Sequence, residues 1–256
     1  MWTRKELKEK GKAAFKANYW RCVLVALILV LISGGLSGVS GFHSSRQMNP
    51  QQNQTVVLET ADGEELVLSG EDMENLWDAI RPLVPVIVTV AVGVTAVGFV
   101  LSILVFNPLQ VGCQRFFTEN SRAPAELGEM GFGFGRGGYG RTVKTMLLMD
   151  VFLLLWSLLF IIPGIIKSYS YRMVPYILAQ EPELSGRAAI DRSRQMMNGQ
   201  KWRAFVLDLS FILWILLTIV TLGIVGIFYV QPYIYATNAE LYHALKKGPQ
   251  YASPEL

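Results

Sequence analysis

Four ionisable residues interrupt long apolar stretches of this chain: Asp150, Lys167, Arg172 and Asp208. A charge within hydrocarbon is costly, so it needs an opposite charge, a hydrogen-bond network or water. Such groups could form the transport site of a small-solute transporter. They could also form an interhelical ion pair or reach an interface through a long side chain, and we favour this structural interpretation.

The predicted depth of these charges suggests which of them meet. Asp150 and Asp208 each lie about one turn or more inside a predicted span, counted from its cytoplasmic end. At that depth they could face one another or Arg172. The polar residues Gln231, Asn238 and Glu240 are weaker candidates.

Residue patterns for catalysis, metals and cofactors are missing from the sequence. It contains no H-E-x-x-H, G-x-S-x-G or Walker motif, so we expect no enzyme and assign no catalytic residue. The two cysteines and two histidines are too scattered for a zinc site. The glycine-rich run at residues 131–141 follows no strand, so we interpret it as a flexible aromatic and basic loop at a lipid surface. No metal and no cofactor are predicted.

The N-terminal segment, residues 1–19, has the pattern of a basic amphipathic helix. Its lysines share one face by i, i+3 and i+4 spacing, and these candidate lipid-surface residues are Lys5, Lys8, Lys12 and Lys16. Each lysine near an anionic lipid surface contributes about 1 kcal/mol. A second amphipathic helix is predicted at residues 184–199. Anionic lipids are therefore an expected partner.

The composition places these residues in a membrane protein. The chain is 52% hydrophobic and only 17% charged, against about 25% charged in globular proteins. Residues 82–114 contain no Asp, Glu, Lys, Arg or His, and about 20 apolar residues suffice to cross a bilayer core. The net charge of +3 comes from basic residues beside the apolar stretches, so nucleic acid is not an expected partner.

We predict an all-α fold, a polytopic membrane helical bundle forming one domain over residues 1–256. About six spans are expected, at residues 20–39, 83–106, 146–162, 165–179, 204–221 and 224–242. The other predicted segments are an outer polar insert (40–82), a cytoplasmic loop (107–144) and a tail (243–256). Val56 to Leu58 and Leu66 to Leu68 flank Asp62-Gly63, which predicts a possible β-hairpin in the insert.

The distribution of charge predicts the orientation. The insert carries two basic residues, Arg46 and Arg81, against eight acidic ones. Lysine and arginine concentrate instead in the segments that the six-span prediction places on one side. Since cytoplasmic loops are enriched in these residues, both termini are expected in the cytoplasm.

Several sequences in the second half of the chain resemble one family. They are IIPGIIK, MVPYIL and the pattern S-R-x-x-M-x-G-x-K-W from Ser193 to Trp202, within a longer similar stretch at residues 134–201. These resemble the DUF975 family of bacterial integral membrane proteins. The resemblance implies a multi-pass protein of a bacterial plasma membrane without an assigned activity. The insert, His43 to Ile80, departs from it by being longer and more acidic.

These observations lead to two functional hypotheses. The first is a non-enzymatic organising or regulatory component of the bacterial plasma membrane, acting through lipid or protein contacts. The alternative is a small-solute transporter or permease-like protein that uses its intramembrane charges.

Overall fold

The structure, a computed structural model, describes residues 2–32, 56–59, 65–68, 74–75, 78–135 and 138–248. It divides into two compact units, where the sequence predicts one domain. The larger unit comprises residues 1–38 and 101–256, and the smaller comprises residues 39–100.

The larger unit begins with two helices, α1 (Arg4–Ala17) and α2 (Tyr19–Ile32). The Thr3 hydroxyl starts α1 by accepting a hydrogen bond from the Glu6 amide at 3.2 Å. Leu7, Gly11 and Phe15 recur at helical spacing and form the buried face of α1. The two helices are bent by 107° relative to one another. The segment predicted as a surface helix therefore buries its apolar face in protein.

The smaller unit contains two short strands, β1 (Val56–Glu59) and β2 (Glu65–Leu68), and one long helix, α3 (Val84–Leu101). The strands pair antiparallel, with Val56 opposite Leu68. The predicted turn at Asp62-Gly63 lies outside the described residues, so the hairpin stays a prediction. The side chains of α3 are exposed along its length, although the helix is almost wholly apolar.

The remaining elements all belong to the larger unit, and nearly all are α-helices. They are α4 (Asn107–Asn120), α5 (Tyr139–Leu159), α6 (Ile161–Tyr171), α7 (Val174–Gln180), α8 (Gly186–Met196), α9 (Lys201–Leu209), α10 (Ile212–Val220) and α11 (Gln231–Lys246). Two π-helical turns, Ser102–Phe106 and Gly226–Val230, precede α4 and α11. A 3₁₀ helix, Leu127–Phe134, packs against α4. Residues 107–120 and 127–134 are thus helical, where the sequence predicts a loop.

The prediction of six spans is wrong in number. Within the described residues three helices are long and apolar enough to cross a membrane: Val84–Asn120, Tyr139–Leu159 and Lys201–Val220. The bent pair α1 and α2 would raise the number to four if it formed one span. The helices are nonetheless apolar enough for a membrane protein.

The predicted spans at residues 165–179 and 224–242 are not among these helices, because neither segment forms one long apolar helix. The first is divided into α6 and α7, and α7 is buried at every position from Val174 to Ala179. The second contains a π-helical turn followed by α11, which buries residues from Pro232 to Leu245. Apolar side chains leave water in a protein core as well as in lipid. These segments form the core around which α1, α4 and α9 pack.

Candidate functional site

The candidate site is a network around Arg172, at the junction of α6 and α7. Pro175 occupies the first turn of α7, where its missing amide hydrogen is tolerated, and a separate helix begins there. Arg172 caps the preceding helix and points toward two other elements. They are α9, which supplies Asp208, and α11, which supplies Asn238.

The Arg172 guanidinium is held by three oxygen atoms. Its Nη1 and Nη2 donate to the two carboxylate oxygens of Asp208, at 2.6 and 2.7 Å. Nη2 also donates to Oδ1 of Asn238 at 2.8 Å. The Tyr169 hydroxyl donates to Oδ2 of Asp208 at 2.8 Å. This bidentate geometry is the strong form of an arginine–carboxylate pair, and it joins three elements of the fold.

A cavity of about 250 Å³ lies beside this network. Its polar lining is Gln110, Gln114, Ser168, Tyr171, Arg172, Tyr176, Tyr235 and Asn238. Oε1 of Gln114 is buried there without a hydrogen-bond donor. A buried acceptor left unpaired costs about 1–3 kcal/mol, so this amide is suited to receive a donor from a bound molecule. The charged groups of the network, by contrast, already satisfy one another.

Two of the four predicted intramembrane charges lie outside the network. Asp150 is exposed on α5, and its Oδ2 accepts a hydrogen bond from Nδ2 of Asn107 at 2.9 Å. Lys167 is half-buried, with its Nζ 4.5 Å from the centroid of the Trp156 ring. Only Arg172 and Asp208 are brought together.

The structure separates the four predicted lipid-surface lysines into two kinds. Lys5, Lys12 and Lys16 are exposed. Lys8 is half-buried: its Nζ donates to the Ser210 carbonyl at 2.8 Å and lies 4.1 Å from the Phe211 ring centroid. Partial burial, and secondarily the charge of Arg4, lowers the pKa of Lys8. Lys8 therefore contacts the junction between α9 and α10.

Uncharged side chains that sequence reasoning did not assign to a site complete these contacts. Tyr169 contacts the ion pair, Gln114 carries the unpaired acceptor, and Asn107 holds Asp150. Asn and Gln residues within an apolar stretch could have indicated these positions, since a buried amide side chain also needs a hydrogen-bond partner. In the part of the chain that the structure describes, no three His, Cys, Asp or Glu residues are grouped to hold a metal ion.

Comparison with known proteins gives one match. A search of curated proteins finds no relative, and a search of solved structures finds no similar fold. A family model described as a protein of unknown function, DUF975, matches residues 83–248. The matched region covers more than half of the 256 residues and contains the network and most of its surrounding helices. The chain therefore belongs to the DUF975 family.

Proposed function

We propose that this chain is a non-enzymatic, multi-pass protein of the bacterial plasma membrane, with an organising or regulatory role exercised through a basic surface. With the bent pair α1 and α2 counted as a fourth span, both termini would lie in the cytoplasm. Membership of DUF975 and the long apolar helices support the membrane location. The Arg172–Asp208 pair supports a structural role for the buried charges, because its two parallel hydrogen bonds join separate helices.

The arrangement of α1 carries this proposal. Its apolar face packs on α11, where a Cβ on Gly11 would collide with the backbone of Thr237. The helix is thus fixed on the protein body, with Lys5, Lys12 and Lys16 exposed. A free amphipathic helix would insert its apolar face into lipid, but here that face is already occupied. The exposed lysines are left to attract anionic headgroups by charge alone.

Replacing Lys5, Lys12 and Lys16 together with Gln should weaken the association with anionic lipid by at least about tenfold at low salt, since each lysine is worth about 1 kcal/mol. The measurement is electron spin resonance of spin-labelled phosphatidylglycerol around protein reconstituted in phosphatidylcholine bilayers. Lys8 is kept, because it contacts Ser210.

The matched control replaces the same three lysines with Arg, which keeps the charge and should keep the association. High salt should remove the difference between the variants, because exposed charges are screened. If the Gln variant and the native protein select phosphatidylglycerol equally at low salt, the basic surface does not have this role.

A second candidate function, small-solute transport, is favoured by the cavity beside Arg172. Its volume of about 250 Å³ is sufficient for a small polar molecule, and its lining offers three amide side chains. The unpaired Oε1 of Gln114 would accept a hydrogen bond from such a solute. Any transport would depend on water reaching this cavity from one side of the bilayer.

Cysteine labelling in reconstituted bilayers tests for that water. In a chain with Cys22 and Cys113 replaced by Ala, Gln110→Cys and Ser168→Cys should react with a charged thiosulfonate reagent at least about tenfold faster than Leu154→Cys. Leu154 is 66% exposed on α5 and does not line the cavity, so in a bilayer it would face lipid. Equal protection of all three positions would exclude a water-filled cavity, and with it this transport proposal.

A further inference from the structure

We propose that Trp2, Arg4 and Arg203 form a binding site for the phosphate group of an anionic phospholipid. This inference deepens the proposed function by naming a headgroup that the protein would bind. The inference depends on the proposed function only in assuming that the protein lies in a membrane. Its residues are distinct from the exposed lysines of α1, so the two proposals can fail separately.

A cavity of about 370 Å³ lies where the N-terminal segment meets the start of α9. The six residues that line it are Trp2, Thr3, Arg4, Trp202, Arg203 and Val206. They carry two guanidinium groups and no carboxylate. A concave surface with this charge attracts anions, and arginine matches the geometry of phosphate oxygens with paired donors.

Two hydrogen-bond donors at this cavity lack acceptors. Nη2 of Arg203 donates to the Trp2 carbonyl at 2.6 Å, but the buried Nη1 has no partner. Nε1 of Trp2 is also buried without a partner, in a residue that is only 8% exposed. A buried donor without an acceptor is costly, because it has lost its hydrogen bonds to water. An anionic oxygen bound in the cavity would accept a hydrogen bond from both donors.

The Arg203 guanidinium is held in place before any ligand binds. It lies 4.5 Å from the centroid of the Trp2 ring, within the range of a cation–π contact. Together with the hydrogen bond to the Trp2 carbonyl, this contact fixes the side chain at two points. A pre-oriented donor loses little conformational entropy on binding, which favours affinity.

The position of the cavity favours a lipid over a soluble phosphate compound. Arg203 and Val206 lie in the first turns of the candidate span Lys201–Val220. Trp202, beside them, is 73% exposed. Tryptophan is enriched at the ends of spans, at the level of the lipid headgroups. The phosphate of a bilayer lipid would therefore lie at the height of this cavity.

The test measures binding of a short-chain lipid to the full chain in detergent micelles, by isothermal titration calorimetry. The probes are dihexanoyl phosphatidic acid, dihexanoylglycerol, which lacks the phosphate, and inorganic phosphate. We expect the phosphatidic acid to bind, dihexanoylglycerol not to bind, and inorganic phosphate to bind at least about tenfold more weakly, because it makes no apolar contacts. Equal affinity for the lipid and inorganic phosphate would overturn the assignment to a lipid.

Variants test the residues themselves. Arg203→Gln and Trp2→Phe should each weaken phosphatidic acid binding about tenfold, since each removes one hydrogen bond to a charged group. Trp2→Phe keeps an aromatic ring for Arg203, so it remains informative if Arg203→Gln fails to fold. Arg187→Gln, an exposed arginine that does not line the cavity, is the matched control and should bind normally. Unchanged affinity in Trp2→Phe and Arg203→Gln would overturn the proposal.

Discussion

Replacing Asp208 with Asn should lower the free energy of unfolding by about 3 kcal/mol, the lower end of the range for breaking a buried ion pair. The substitution keeps the shape of the side chain but leaves the Arg172 guanidinium without its bidentate partner. The Arg172 side chain is only 18% exposed, so water cannot replace the carboxylate fully. The lower end applies because the Asp208 side chain is 35% exposed. Denaturant unfolding in detergent micelles, followed by circular dichroism, measures the change.

Two further variants distinguish a lost charge from lost packing. Tyr169→Phe removes one hydrogen bond to Asp208 and should cost about 1 kcal/mol. Replacing the pair together, with Arg172→Met and Asp208→Leu, should recover most of the stability lost in Asp208→Asn, because no unpaired charge remains. If Asp208→Asn unfolds like the native protein, the network does not hold α6, α9 and α11 together.

Placing a methyl group on Gly112 or Gly133 should destabilise the fold by about 2 kcal/mol each, as overpacking commonly does. A Cβ on Gly112 would overlap the Met130 carbonyl, and one on Gly133 would overlap the Pro108 carbonyl. Each glycine thus allows α4 and the 3₁₀ helix Leu127–Phe134 to approach through their backbones. Carbonyl groups of helices cannot move aside as a flexible side chain can. The thermal midpoint of Gly112→Ala and Gly133→Ala in detergent measures this effect.

The same 3₁₀ helix offers a matched control. A Cβ on Gly131 would meet no atom within 4 Å, so Gly131→Ala should be neutral or slightly stabilising, because it restricts the unfolded chain. Equal midpoints for Gly131→Ala, Gly112→Ala and Gly133→Ala would show that the close approach does not contribute to stability.

The ion pair shows which parts of the site can be predicted from the sequence and which cannot. Arg172 and Asp208 were identifiable because charges in apolar stretches are rare and need partners, and their mutual approach was one of the predicted arrangements. Asp150 was an equally good candidate on the same grounds, yet its partner is Asn107. Which charges meet depends on the rotation of each helix about its axis, and side-chain packing with neighbouring helices sets that rotation.

The lysines of α1 also show that a sequence pattern does not predict contacts with neighbouring helices. Their spacing predicts one continuous basic face, and Lys5, Lys12 and Lys16 are indeed exposed. Lys8 is half-buried instead, because α1 packs close to the junction at Ser210, whose carbonyl accepts a hydrogen bond from Lys8. Periodicity describes one helix alone and contains no information on the neighbour that covers it.

The sequence by itself determined that this chain is rich in apolar helices and, through its motifs, that it belongs to DUF975. Tertiary structure alone decided which of those helices are covered by protein. Hydropathy measures the free energy of leaving water, and that gain is the same whether a side chain enters lipid or a protein core. The segments α7 and α11 therefore resembled spans in sequence but are buried among other helices, whereas the apolar side chains of α3 and α10 remain exposed.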